Sequence, residues 1–216
     1  MLICGIDEAG RGPVIGPLVI CGVLVDESGE ASLRSIDVKD SKLLTPKQRE
    51  ILFTKIKKIV RKYEILIISP QEIDMAVKGD AGDNLNWLEA KKSVEIIKKL
   101  YPDRAILDCP SPNLKAYRER LHEMLKNKTE IIAEHKADVK YAVVSAASIL
   151  AKVTRDEEIK KLEKKYGKLG SGYPADPVTH KFLQENFNRH PEIFRHSWST
   201  MKKLKKGVGQ SKLGEF

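Results

Sequence analysis

Short apolar runs of strand length alternate with longer stretches of helical periodicity along this chain, and that alternation restricts it to an α/β fold, a mixed β-sheet flanked by helices. The runs are Leu2 to Asp7, Leu18 to Val25, Tyr63 to Ser69, Ala105 to Asp108 and Glu130 to Glu134. So few residues join the first two that antiparallel pairing is predicted. Thr45 followed by Pro46 combines an N-cap residue with a proline at the first helical position, and opens a helix over Lys47 to Lys62. Asp83 is placed to cap a helix reaching Leu100, Ser111-Pro112 opens another through Leu125, and helical spacing continues over Tyr141 to Lys165 and Pro177 to Phe187. These elements predict an α/β core over 1–138, a helical C-terminal portion over 139–200 packed on it, and a basic tail over 201–216 whose composition suits flexibility.

Charge and cysteine usage narrow the function classes. Thirty-nine Lys and Arg against 30 Asp and Glu give a net charge of +9, which favours a polyanionic partner. Cys4, Cys21 and Cys109 stand in apolar surroundings without CxxC spacing, so buried thiols of a reducing compartment are expected rather than disulfides or a zinc site. Met1 begins almost directly on a strand, leaving no room for a signal peptide, and no apolar run reaches the roughly 20 residues of a membrane span. A cytoplasmic location without membrane contact is expected.

The opening segment MLICGIDEAGRGPVIG carries the first chemistry. An apolar strand delivers Asp7 and Glu8 into the turn Gly10-Arg11-Gly12-Pro13, where glycines let a ligand approach the main chain and Arg11 adds a phosphate-seeking fork. Adjacent side chains of a regular strand face opposite ways, so the two acids can share a site only where the strand is ending. Paired carboxylates beside such a loop fit metal-assisted phosphate chemistry. An ordinary acidic strand-to-turn junction is the alternative.

The stretch GIDEAGRGPVIGPLV resembles the opening signature of the type 2 ribonucleases H, the ribonuclease HII family, in its archaeal form. VKDSKLLT, ILDCPS, EHKADVKYAVVSAASILAKVTRD and GSGYPADPVT resemble further family motifs in the expected order and span nearly the whole chain. The resemblance implies a ribonuclease-H-like fold. It also implies an endonuclease that hydrolyses the RNA strand of RNA–DNA hybrids, cuts at single ribonucleotides embedded in duplex DNA, and leaves 3′-hydroxyl and 5′-phosphate ends.

Carboxylates at successive strand ends can converge in such a sheet, and Asp7, Asp108 and Asp138 lie at or after strand ends. With Glu8 they form the catalytic, metal-binding set that the resemblance implies, and oxygen donors without His or Cys suit two Mg2+ or Mn2+ ions. Asp7 is the expected bridging ligand. Read alone, Asp108 could be a strand-end cap and Asp138 a helix N-cap. Asp37, Asp40 and Asp156 are decoys, the last two more suited to orienting neighbouring basic groups.

Telling RNA from DNA requires sensing the 2′-hydroxyl, which close backbone groups can do without reading base identity. The resemblance assigns this to Gly10, Arg11 and Gly12 together with Tyr173 of the GSGYP segment. Tyr173 read alone is a turn aromatic fixed by Pro174. Lys42, Lys152 and Arg155 are candidate phosphate contacts, and His135 is at most a site-edge residue. The GRG turn and GSGYP argue against a type 1 ribonuclease H or junction resolvase, and four acids near strand ends argue against a noncatalytic hybrid-binding module.

The chain closes on KKLKKGVGQSKLGEF, where Gln210, Leu213 and Phe216 reproduce most of the spacing of a sliding-clamp-binding peptide but lack the second aromatic. A solvated tail is the plain alternative. Archaeal-type relatives with clamp-binding tails make a sliding clamp an expected partner of an otherwise monomeric enzyme.

Overall fold

The most apolar run of the chain, LVICGVLV, forms β2 (Leu18–Val25), buried along its whole length beside β1 (Ile3–Ala9). This computed structural model describes residues 1–38, 44–78 and 84–204. Asp40, Lys42, the Asp83 cap, Gln210, Leu213 and Phe216 therefore lie outside the described residues. With β3 (Lys62–Ile68), β4 (Arg104–Asp108) and β5 (Glu130–Glu134), the strands form a five-stranded sheet of order β3-β2-β1-β4-β5. β1 and β2 are antiparallel as expected, whereas β1 with β4 and β4 with β5 are parallel. Parallel neighbours require helical crossovers, and both faces of the central strand are covered accordingly.

The helices are α1 (Glu27–Ser35), α2 (Pro46–Ile59), α3 (Pro70–Lys78), α4 (Leu85–Leu100), α5 (Leu114–Leu125), α6 (Ala137–Lys140), α7 (Ala142–Tyr166) and α8 (Pro177–Asn186). Thr45 caps α2 in a reciprocal box: Gln48 N–H donates to its Oγ1 at 3.3 Å, and its own N–H donates to Gln48 Oε1 at 2.8 Å. α5 starts later than expected, because Asn113 rather than Ser111 accepts the first-turn N–H, that of Ala116, at 3.0 Å. The expected helix from Tyr141 has a short forerunner. Tyr141 is extended (φ −120, ψ 119), so Asp138 sits in the single turn of α6 and not at the start of the long helix. Helices α1 and α3 add to the expected set.

The chain divides into two compact units, Met1–Ala9 with Val19–Ile67 and Asn86–Arg155, and Gly10–Leu18 with Ile68–Leu85 and Asp156–Phe216. The helical portion expected over 139–200 is thus shared, with α7 up to Arg155 in the first unit and α8 in the second. The first unit packs β1 and β2 against Val143, Val144, Ala147 and Leu150 of α7. A Cβ on Gly5 would stand 2.4 Å from Val143 C and 2.6 Å from Val144 N, so glycine is what lets the helix backbone lie directly on β1. The second unit has its own core of Ile15, Ile159, Leu183, Ile193 and Phe194.

All three cysteines are buried free thiols, and burial pushes the Cys4 thiol up to about 12. Among the described residues no helix is long and apolar enough to cross a membrane.

Candidate metal centre and nucleic-acid interface

Parallel registry of β1 and β4 ends at Ile6 opposite Leu107, which brings the next residues, Asp7 and Asp108, to neighbouring positions. β5 leads through Lys136, in the left-handed region at φ 56, into α6 and Asp138. One carboxylate oxygen from each of Asp7, Asp108 and Asp138 lies within 4.8 Å of the other two. Asp7 is 5% and Asp138 4% exposed. Capping chemistry falls on Asp108, at its strand end, and not on Asp138 as a helix N-cap. Asp108 Oδ1 accepts the Ala137 N–H at 3.0 Å and so holds the turn that carries Asp138, while the α6 N-cap is Lys136 without a side-chain bond.

β1 runs two residues beyond its expected end, pairing Glu8 with Ile20 and Ala9 with Val19. Alternation along the strand turns Glu8 away from Asp7, and the half-buried Glu8 is not one of the three clustered carboxylates. Its main-chain N–H nevertheless donates to Asp7 Oδ1 at 2.7 Å. Burial first, then the charges of Glu8 and Asp108, push the Asp7 carboxyl well above the usual carboxylate range, and hydrogen bonds from Ser148 and the Glu8 amide partly oppose them. Ser148, on α7, is a site residue that sequence reasoning missed.

Lys152 and Arg155 follow Ser148 at i+4 and i+7, on one face of α7. Lys152 is half-buried, whereas Arg155 is buried at 3% exposure, a placement far from that of a solvated phosphate contact. His135 is exposed just after β5, with Nδ1 3.1 Å from the Cys109 carbonyl.

The glycine turn belongs to the second unit, where it meets the GSGYP segment. Val14 N–H donates to the Gly172 carbonyl at 2.8 Å, and a Cβ on Gly12 would come within 3.2 Å of Tyr173 Cε1. Tyr173 remains 42% exposed. Thr179 Oγ1 accepts the Gly172 N–H at 2.9 Å and donates to the Leu169 carbonyl at 2.8 Å. Asp176 accepts the Ser171 N–H at 2.7 Å, and hydrogen bonds of this kind lower its carboxyl to about 2.

Beneath the turn lies Arg195, fully buried, whose Nη2 donates to the Gly10 carbonyl at 2.7 Å, Nη1 to Arg11 at 2.9 Å and Nε to Gly16 at 3.0 Å. Trp198 Nε1 donates to the Gly12 carbonyl at 3.2 Å, and its ring centroid lies 5.0 Å from the Arg195 guanidinium carbon. Neither residue was found from sequence. The only available signal was a cation set between Phe194 and Trp198 in FRHSW.

A mixed sheet with acids gathered at the ends of its parallel strands and a helix laid across β1 defines the ribonuclease-H-like nuclease fold. Residues 4–201 match the family model described as Ribonuclease HII. The chain is 48% identical to ribonuclease HII of Pyrococcus furiosus, over 98% of this chain and 95% of that protein. It superposes on the crystal structure of ribonuclease H2 from Pyrococcus horikoshii with TM-score 0.88 and 46% identity, covering 97% of this chain and 99% of that one. The complex of PCNA with RNase HII from Archaeoglobus fulgidus gives a TM-score of 0.84 at 41% identity, over 92% and 96% of the two chains. The protein belongs to the ribonuclease HII family, nucleases that cleave the RNA strand of RNA–DNA hybrids.

Proposed function

We propose that this nuclease also cuts at a single ribonucleotide embedded in duplex DNA, using two divalent cations held by Asp7, Asp108 and Asp138 with Glu8 at the edge, and leaves 3′-hydroxyl and 5′-phosphate ends. The observation that carries the metal-dependent chemistry is the gathering of three carboxylates, one oxygen from each within 4.8 Å of the others, two of the acids buried. Such acids repel one another strongly, a repulsion that hard cations relieve, and an all-oxygen donor set fits Mg2+ or Mn2+. When bound, the ions supply activation of the attacking water and stabilisation of the leaving oxygen. The chain's own residues do the positioning. Ser148 and the Glu8 amide fix the Asp7 carboxylate, and Asp108 fixes the turn bearing Asp138. Lys152 is the phosphate contact favoured by its half-buried place on α7, and Lys42 is proposed from sequence alone.

Ribose recognition is assigned to Gly10, Arg11 and Gly12 with Tyr173, supported by the packing of the ring on Gly12. Only Ala9 separates this loop from Glu8 in the chain. A metal-titrated cleavage assay on a duplex with one ribonucleotide tests the whole assignment. Incision that rises with Mg2+ or Mn2+ and leaves a 5′-phosphate is expected, and an inert duplex rejects it. Tyr173→Ala should lower cleavage of that duplex about tenfold more than cleavage of a long hybrid, given that stacking on one base contributes roughly 1–3 kcal/mol. Equal losses on both substrates would make the ring structural.

Gln210, Leu213 and Phe216 are proposed to bind a sliding clamp, a reading favoured by the PCNA complex of the Archaeoglobus fulgidus relative. Deleting Gln210 to Phe216 should leave cleavage of short duplexes unchanged and remove clamp binding. With one aromatic anchor in place of two, a synthetic tail peptide should bind in the micromolar range, roughly −8 kcal/mol. Binding that ignores Phe216→Ala would overturn the motif.

A further inference from the structure

We propose that Arg195, seconded by Trp198, is the positioning residue for ribose recognition: it turns the carbonyls of the glycine loop inward so that the loop's amide N–H groups face the 2′-hydroxyl. This rests on the assignment of ribose recognition to Gly10–Gly12. Burying a guanidinium is costly unless its donors are met. Here three of its hydrogen bonds go to carbonyls of one short loop, those of Gly10, Arg11 and Gly16.

Among the described residues no peptide bond is cis, so in this loop each carbonyl and the N–H of the following residue point in opposite directions. The Gly10 and Arg11 carbonyls point at Arg195, which directs the N–H groups of Arg11 and Gly12 to the other side of the loop. Gly12 is exposed. Two neighbouring N–H groups on one side form a concavity that suits an oxygen. A cation bonded to the carbonyl end of each peptide also polarises it and strengthens its N–H as a donor. Trp198 draws in the next carbonyl, that of Gly12, whose peptide leads to Pro13 and has no N–H to present.

The consequence is selectivity. Donors held in place gain by meeting a 2′-oxygen and lose when deoxyribose leaves them unpaired. A single embedded ribonucleotide offers one such oxygen, whereas a long hybrid offers one at every position. Loss of Arg195 should therefore affect the single-ribonucleotide substrate more.

The experiment is the ratio of kcat/KM for a duplex with one ribonucleotide to kcat/KM for a long hybrid, measured for the full-length enzyme, Arg195→Lys and Trp198→Phe. Lysine keeps the charge but replaces the planar fork that reaches three carbonyls with a compact ammonium, and the ratio should fall about 10- to 100-fold, the range found when a partner that orients a metal ligand is removed. Trp198→Phe keeps an aromatic ring, removes one donor and should lower the ratio in the same direction by a smaller factor. Partial unfolding reduces both rates equally and leaves the ratio untouched, so a purely structural Arg195 does not produce this result. Should Arg195→Lys be inactive on both substrates, Trp198→Phe decides. An unchanged ratio in an active variant overturns the positioning role alone, while a wild-type enzyme that fails to cut the single-ribonucleotide duplex overturns the ribose assignment and this role with it.

Discussion

Asp7→Asn is expected to abolish hydrolysis and, in the same protein, to raise the stability of the metal-free state. Both effects arise from one buried charge. Asparagine keeps the shape and an acceptor for the Ser148 and Glu8 donors, but loses the charge that would hold cations, so turnover should fall about a thousandfold or more. The carboxyl of Asp7 is raised in the folded protein, by burial first and then by Glu8 and Asp108. A raised acid contributes stability below its unfolded pKa and loses it as pH rises through the folded value. At neutral pH the metal-free wild type therefore carries a penalty that the amide lacks, and each kcal/mol of it should appear as about 2–4 °C in melting temperature for a chain of this size. The gain should shrink as pH falls from the raised folded value of Asp7 towards the ordinary carboxylate range, and vanish below that range, where the side chain is neutral in the folded and unfolded chain alike. Manganese should stabilise the wild type at neutral pH and have far less effect on the variant. Melting curves in EDTA and in Mn2+, run beside cleavage assays, read all of this. Undiminished cleavage in physiological magnesium would remove Asp7 from the metal set.

Elements that bury an apolar face were legible, and those that do not were missed. The run from Leu18 to Val25 is apolar throughout, and its boundaries agree with β2. α1 buries only Gly29 and Leu33, too little apolar periodicity to stand out. The interruption between α6 and α7 lies at Tyr141, where neither Gly nor Pro marks a break. Asp7, Asp108 and Asp138 could be brought together in advance because strand ends gather by topology. Ser148 could not, since a serine in an alanine-rich helix ordinarily reads as packing. Arg195 lies 185 residues from Gly10, and a lone arginine carries no mark of the loop it holds.

Gly5→Ala is expected to be among the most damaging single methyl additions in the protein, and Gly22→Ala provides its internal comparison. The two glycines stand on adjacent strands and both face helices, yet they differ in what a new Cβ meets. At Gly22 the nearest atom is Ile96 Cγ2, at 2.2 Å, a side-chain methyl of a β-branched helical residue, so relief there takes a shift of side chains rather than of backbone. At Gly5 the nearest atoms are Val143 C and O and Val144 N, all at 2.4–2.6 Å and all backbone. No rotamer relieves that overlap, so the start of α7 must move off β1. Overpacking commonly costs about 1–3 kcal/mol; Gly22→Ala should fall in that range and Gly5→Ala at or above its top. A domain has only about 5–15 kcal/mol of stability in total, so the second change consumes a large share of it. The damage should extend to chemistry, because α7 also carries Ser148, which bonds Asp7. The fraction of Gly5→Ala that stays folded should bind Mn2+ more weakly, whereas folded Gly22→Ala should bind it as the wild type does. Urea midpoints and manganese titrations of the two variants check both statements, and equal losses of stability would mean that α7 can leave the strand at little cost.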